Sequence, residues 1–266
     1  MDTASATAIQ NYARTLTLRS PDHYRAGPFT VRHNPGWELK FANYAIPDQD
    51  AEPTARDIAD LVAAFRAHDR LPRLEFLPTW APAVEPALLA AGFTVESRAP
   101  VMACTADRLL TPKPVDGLRI AEPVTEAEFT DAAAVQHTGF GSDGGPDDDS
   151  SDGGPDDGEI AWLRTAAAGG GVAALATLEG RPAGAGGCSV PADGIGELAG
   201  LAVAAPFRRR GVGAALSSWL THTAFERGYR TVWLEPGGPD VERIYASIGY
   251  RRAGEKLNIS LTAGPG

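Results

Sequence analysis

The chain has 266 residues, 43% of them hydrophobic, and a formal net charge of −10. This composition predicts a globular protein and excludes the basic surface that nucleic-acid binding requires. The sequence has no run of 18 apolar residues and no signal-peptide pattern at its start, so we expect no membrane contact and a cytoplasmic location. Two cysteines and five histidines show no ligand spacing, which predicts no metal site. Arginine outnumbers lysine by 21 to 3, which favours a bacterial source.

The first half of the chain carries an alternating helix and strand pattern. Apolar spacing predicts helices over 57–68 and 84–91, a strand over 73–77 and two further strands at Val95 and 100–104. The segment T-P-K-P-V-D-G at 111–117 is typical of a linker. We therefore predict an N-terminal domain over 1–110 and a second domain over 118–266.

The second domain begins with further predicted elements and an acidic tract. Residues 142–158 form a near-duplicate of acidic, Gly- and Pro-containing sequence that predicts a disordered loop. The other predicted elements are strands over 118–121, 172–178 and 183–190 and helices over 125–136, with a Thr125-x-x-Glu128 start, and 159–168.

Residues 197–213 indicate an anion-binding turn. The apolar run Leu198 to Val203 predicts a buried strand, Pro206 ends it, and a helix is predicted from Ala214. Glycines let backbone N–H groups approach an anion closely, and the helix dipole adds positive potential there. The predicted phosphate-binding residues are Arg208, Arg209, Arg210, Gly211, Val212, Gly213 and Ala214. The spacing matches neither the nucleotide-triphosphate loop nor the dinucleotide-binding loop.

The stretch 203–214 resembles the pyrophosphate-binding loop of the GNAT superfamily of acyl-CoA-dependent N-acyltransferases, with Arg208, Gly211 and Gly213 at the signature positions. A strand over 231–234 and a helix containing I-Y-A-S-I-G-Y at 244–250 resemble the next two elements of that family. The resemblance implies an α/β (α+β) fold with a mixed, mainly antiparallel sheet flanked by helices. It also implies acetyl-CoA as the acyl donor.

The resemblance further implies roles for individual residues. The main chain of Leu201, Ala202 and Val203 is expected to pair with the pantetheine arm of the coenzyme. Tyr245 matches the family's general acid, and Glu197 matches its general base. Glu235, at the end of the next predicted strand, is an alternative base.

The implied activity is N-acetylation of a primary amine on a small molecule or a peptide. A non-catalytic acyl-CoA sensor or interaction module derived from the same fold stays open as an alternative, as does a homodimer. The acidic tract 142–158 is a solvated spacer or steers a cationic acceptor.

The two halves of the chain share a pattern at an offset of 157 residues. Gly92 and Phe93 align with Gly249 and Tyr250, and several further positions agree. Position 88 of the first half is leucine where the second half has Tyr245, and no Arg or Gly cluster precedes the first helix. We therefore predict two pseudo-repeated domains, of which the first is a degenerate GNAT-like copy without a cofactor site.

Overall fold

The computed structural model describes residues 3–36, 42–141 and 157–262. Contacts divide the chain into two units: Met1–Val101 with Arg252–Gly266 is unit 1, and Met102–Arg251 is unit 2. The predicted disordered loop at 142–158 lies outside the described residues, except that positions 157 and 158 begin a helix.

Within the described residues, unit 1 contains three helices and six strands, counting the first part of β5. In chain order the elements are α1 (Thr3–Arg19), β1 (Tyr24–Ala26), β2 (Phe29–Arg32), β3 (Tyr44–Pro47), α2 (Ala55–Ala67), β4 (Arg73–Phe76), α3 (Val84–Ala90), the first part of β5 (Thr94–Cys104), and β11 (Arg251–Ser260). The strand order is β1–β2–β3–β4–β11–β5. The pairs β1–β2, β2–β3 and β4–β11 are antiparallel, whereas β3 and β4 run parallel with Ala45 opposite Leu74.

Helix α2 follows from its apolar spacing and its first turn. Ile58, Leu61 and Phe65 recur at helical intervals, and all three are buried. The Thr54 hydroxyl accepts from the N–H of Asp57 at 3.2 Å, and the Asp57 carboxylate accepts from the N–H of Thr54 at 2.8 Å. This capping box satisfies two backbone donors at the start of the helix.

Unit 2 contains the remaining strands and helices. Its elements are the end of β5, β6 (Leu118–Ala121), α4 (Glu126–Gly141), α5 (Asp157–Ala168), β7 (Val172–Leu178), β8 (Arg181–Cys188), β9 (Ile195–Val203), α6 (Val212–Glu226), β10 (Thr231–Leu234) and α7 (Pro239–Ser247). The strand order is β5–β10–β9–β8–β7–β6, and β9–β10 is the parallel pair. The predicted mixed, mainly antiparallel sheet flanked by helices is confirmed.

Both faces of the unit 2 sheet are buried. Strand β7 shows this directly, because Ala174 packs in the same cluster as Leu216 of α6 while Ala173 packs in the same cluster as Ala132 of α4. Small alternating side chains on β7 and β8 therefore allow helices to pack on each side of the sheet.

The internal repeat extends to the elements themselves. Helix α2 begins at residue 55 and α6 at residue 212, whereas β5 begins at residue 94 and β11 at residue 251. Both intervals equal the offset of 157 read from the sequence. Each unit also contains one parallel strand pair. The predicted pseudo-repeated arrangement is confirmed.

The units differ in extent from the predicted ranges 1–110 and 118–266. Strand β11 belongs to unit 1, where it pairs with β4, and the end of β5 belongs to unit 2, where Met102 pairs with Leu234. Residues 111–117, the predicted linker, lie inside unit 2. Consecutive strands usually pair with each other, so a strand exchanged between repeats is not visible in local composition.

Three element predictions need correction. Helix α6 begins at Val212 and not at Ala214, because Gly211 in the left-handed conformation already serves as its N-cap. Strand β5 is continuous through Pro100, where the sequence predicted two strands. Helix α1 was not predicted at all.

Candidate functional site

Strands β9 and β10 pair only at their beginnings. The parallel register runs from Thr231 opposite Ile195 to Trp233 opposite Glu197, and no pair is formed beyond that point among the described residues. Strand β9 continues for six further residues to Val203. One edge of β9 is therefore open beyond Glu197, as the resemblance implied.

The main chain of Val203 faces this open edge. The N–H of Ala204 donates to Ala183 of β8 at 3.0 Å, so the alternation of an antiparallel ladder turns the polar groups of Val203 away from β8. Its carbonyl accepts a hydrogen bond from Nε of Arg208 at 3.1 Å. A predicted phosphate-loop residue is thus brought onto the predicted pantetheine-binding strand.

The loop after β9 leads directly into α6. Arg209 adopts a left-handed φ of +59°, and Gly211 has φ +86° as the N-cap. Ala215 forms the first intrahelical bond, from its N–H to the carbonyl of Gly211 at 3.0 Å. The N–H groups of the first turn, Val212 to Ala214, precede that bond and carry the positive end of the helix dipole.

The three arginines of the loop are exposed but point to different partners. Arg208 contacts the Val203 carbonyl, whereas Arg210 binds the Glu179 carboxylate at 2.6 Å and lies 5.6 Å from the centre of the Phe207 ring. The hydrogen bond from Arg210 lowers the pKa of Glu179. Arg210 is therefore engaged at the β7–β8 turn.

Tyr245 is buried between α7 and α6. It is 6% exposed, and burial raises its pKa to about 12, while a hydrogen bond with Ser217 acts in the opposite direction. The Ser217 hydroxyl donates to the carbonyl of Gly213 at 2.7 Å. The structure thus links the predicted acid, through Ser217, to the first turn of the helix that follows the glycine loop.

The Gly–Tyr end of the signature has a structural role. Gly249 has φ +108°, and a Cβ there would lie 2.1 Å from the carbonyl oxygen of Arg108, so only glycine fits. The hydroxyl of Tyr250 hydrogen bonds with that of Thr221 at 2.7 Å in the buried core. Tyr250 therefore anchors α7 to α6.

The predicted base lies at the other end of β9. Leu198 packs in the core cluster of α6 and α7, so strand alternation places the Glu197 side chain on the opposite face of the sheet. The Glu197 side chain is half-buried, and its charge helps burial to raise the pKa of Cys188. Glu197 and Tyr245 therefore belong to opposite faces of the sheet. Glu235 follows the end of β10 and is half-buried.

Sequence reasoning missed three residues at this site. Gly200 interrupts β9 with φ +63°, and its carbonyl accepts from Nε2 of Gln136. Ser217 connects Tyr245 to α6. A glycine inside an apolar strand is a known sign of a bulge and could have been recognised, whereas the two polar side chains follow only from tertiary contacts.

Two other classes of site are absent from the described residues. No helix there combines the length and apolarity needed to cross a membrane. Over the same ranges, no group of three or more His, Cys, Asp or Glu side chains has the arrangement to hold a metal ion.

Comparison with known proteins shows what the second half of the chain is similar to. Residues 141–250 match the model of the Acetyltransferase (GNAT) family. A search of curated proteins gives no match.

Several solved structures share the fold of this chain. A GCN5-related N-acetyltransferase from Kribbella flavida is similar with a TM-score of 0.79 and 24% identity, over 97% of this chain and 96% of that one. A GCN5-related N-acetyltransferase from Sphaerobacter thermophilus has a TM-score of 0.53 and 20% identity, over 75% and 64%. A tandem GNAT protein from the clavulanic acid biosynthesis pathway has a TM-score of 0.61 and 12% identity, over 99% and 95%. Residues 141–250 are therefore similar to the Acetyltransferase (GNAT) family, and the chain shares its fold with GCN5-related and tandem GNAT structures.

Proposed function

We propose that this protein is an N-acetyltransferase that moves an acetyl group from acetyl-CoA to a primary amine of a small molecule or a peptide. The observation that carries the proposal is the open edge of β9, which leads into the glycine loop and the first turn of α6. No side chain of the described residues caps that turn. An extended arm with an anionic end matches both features, because strand edges pair with extended chains and helix N-termini attract phosphate.

The coenzyme would be held mainly by the main chain. Leu201 to Val203 would pair with the pantetheine arm, and the N–H groups from Arg208 to Ala214 would hold the pyrophosphate. Arg208 would have to exchange its bond to the Val203 carbonyl for one to a phosphate when the arm pairs there. Gly211, with φ +86°, shapes the turn so that this approach is possible.

Tyr245 would act on the departing sulfur. A thiolate whose thiol has a pKa of about 8.5 is a weaker base than a phenolate, so a phenol stabilises it chiefly by donating a hydrogen bond. Since burial raises the pKa of Tyr245 to about 12, the phenol stays protonated at neutral pH. The alternative is that Tyr245 only fills the core. The acid role is favoured because Tyr245 hydrogen bonds with Ser217, which lies one helical turn from Gly213 of the loop.

Glu197 would act on the acceptor. An alkyl ammonium has a pKa of about 10.4, so its proton must be removed before the nitrogen can attack. The carboxylate of Glu197, directly or through water, would take that proton as the C–N bond forms and the C–S bond breaks. Glu235 is the second candidate for this step, and the position of Glu197 at the point where β9 and β10 separate favours Glu197.

A panel of amines tests the proposal. Incubation with acetyl-CoA should release free thiol with at least one class of amine. Glu197→Gln should remove the acidic limb of the kcat/KM profile, whereas Glu235→Gln should leave it. Binding of coenzyme A without release of free thiol in the presence of any amine would instead favour the non-catalytic acyl-CoA sensor. An unchanged kcat/KM profile in Glu197→Gln would exclude Glu197 as the base.

A further inference from the structure

Strand β9 contains a bulge between its two functional ends. The register between β8 and β9 shifts between Ala185 and Gly187, so that Gly200 and Leu201 both stand opposite Gly186. Gly200 has φ +63°, a conformation that favours glycine. A bulge re-aims the main chain locally and leaves its extra residue out of the ladder.

A side chain from helix α4 holds this bulge. Gln136 is 5% exposed, and its Nε2 donates to the carbonyl of Gly200 at 2.6 Å. Gly200 itself is half-buried, and Gln136 supplies a donor to its bulged carbonyl. On the same helical face, Gly139 packs so closely that a Cβ there would lie 2.6 Å from Cβ of Ala202. Helix α4 is therefore fixed to β9 on both sides of Leu201.

The bulge lies where the reactive end of the proposed cosubstrate would arrive. The arm would run along β9 from the loop at Gly211 past Val203, and the strands separate at Glu197. Gly200 and Leu201 lie between these points, so the main chain at the bulge would face a thioester that an amine activated by Glu197 could attack.

We propose that Gln136 is a positioning residue for acetyl transfer. Its amide fixes the peptide of Gly200, and this orients the main chain of Gly200 and Leu201 against the acyl thioester. Gln136 itself touches no substrate. The inference rests on the proposed function, but it makes a separate prediction. Loss of the Gln136 hydrogen bond should disturb the part of the site that holds the acyl group and leave the pyrophosphate-binding part unchanged.

Replacement of Gln136 by leucine tests this prediction. In Gln136→Leu we expect kcat to fall at least about tenfold, because the bulged carbonyl loses its donor. We expect coenzyme A affinity, measured by calorimetry, to change less than about threefold, because the loop contacts stay intact. Thr138→Ala is the matched control: Thr138 is exposed on the same helix, and among the described residues its hydroxyl bonds to carbonyls of its own helix, at 2.8 Å to Ala134 and 3.3 Å to Val135.

A second variant keeps the test decisive if Gln136→Leu does not fold. In Gln136→Glu the ionised carboxylate cannot donate to Gly200, whereas the protonated form can. Its kcat relative to wild type should therefore rise as pH falls, and a flat ratio would count against the positioning role.

The outcomes separate this inference from the proposed function. Wild-type turnover with an unaffected Gln136→Leu variant overturns the positioning role alone. Equal losses of kcat and coenzyme A affinity in that variant also overturn it, because they indicate a general loss of structure. Failure of the wild-type chain to bind coenzyme A overturns both.

Discussion

The N-termini of helices α2 and α6 occupy equivalent positions in the two repeats but satisfy their backbone donors differently. At α2, Thr54 is the N-cap and Asp57 places a carboxylate on the first turn. At α6, 157 residues on, Gly211 is the N-cap and Ala214 stands in place of the aspartate. The N-terminus of α2 is capped by a carboxylate of its own first turn. Within the part of the chain that the structure describes, no side chain caps the N-terminus of α6, where we propose that the coenzyme pyrophosphate binds.

A second equivalent pair shows the same division. Leu88 in α3 is fully buried, and Tyr245 occupies the matching place in α7 with its hydroxyl bonded to Ser217. The first repeat thus keeps the packing of the fold at both positions and replaces the groups that could carry chemistry. We infer that unit 1 is the silent copy.

Introducing into α6 a first-turn carboxylate like that of α2 should have the largest effect on coenzyme A affinity. Ala214→Asp places a carboxylate at the position that Asp57 holds in α2, where it repels the coenzyme phosphates and competes for the same N–H groups. A like-charge contact costs several kcal/mol, so we expect the Kd for coenzyme A to rise about a thousandfold. Calorimetry at two salt concentrations measures both the loss and its electrostatic origin.

The neutral variant Ala214→Asn is the control, because it matches the size of aspartate without its charge, and its Kd should rise much less. The thermal midpoint of Ala214→Asp should not fall, since an acidic residue in the first turn stabilises a helix. Equal losses of affinity in the two variants would show that Ala214 matters only through its size.

Removal of the hydroxyl that distinguishes position 245 from position 88 should have the next largest effect. Tyr245→Phe is expected to lower kcat about a hundredfold, the lower end of what a positioned acid contributes. Coenzyme A affinity should stay within about twofold of wild type, because the phosphate contacts do not involve the phenol. Steady-state kinetics and calorimetry on the same preparation measure the two quantities, and an unchanged kcat would return Tyr245 to a packing role.

The capping box of unit 1 should matter only for stability. Thr54→Ala removes the N-cap hydroxyl and should lower the free energy of unfolding by about 1 kcal/mol, measured by denaturant titration. The coenzyme stoichiometry should remain one per chain and kcat should not change. We expect that removing the cap does not by itself create a coenzyme site in unit 1. A second coenzyme bound per chain by Thr54→Ala would contradict this expectation.

The sequence predicted those parts of the site that depend on local conformation. The glycine turn and the offset of 157 residues could be read from short patterns, because turns and helix starts are encoded nearby, whereas the roles of Tyr245 and Glu197 come from the family resemblance and stay predictions. The roles of Gln136 and Ser217 could not, since each depends on a partner that only the folded sheet brings close. The exchange of β5 and β11 was missed for the same reason, as strand pairing is decided by tertiary context.

The smallest expected effect concerns pH. The contribution of Tyr245 to kcat should not decline at alkaline pH. An ordinary phenol with a pKa of about 10 would lose its proton at high pH, and its contribution to kcat would fall about fourfold by about pH 10.5. Burial raises the pKa of Tyr245 to about 12, so its acid form persists through that range. The ratio of wild-type to Tyr245→Phe kcat should therefore stay constant from neutral pH to about pH 10.5, provided that the chain stays folded.

Stability should show the opposite sensitivity, because the phenol of the unfolded chain ionises at about pH 10 and the buried one does not, so the free energy of unfolding falls as pH rises beyond that point. Tyr245→Phe should lose less stability than wild type over the same interval. A kcat ratio that declined with an ordinary phenol titration would mean that the hydroxyl is open to solvent during turnover, and position 245 would then differ from Leu88 in exposure as well as in chemistry.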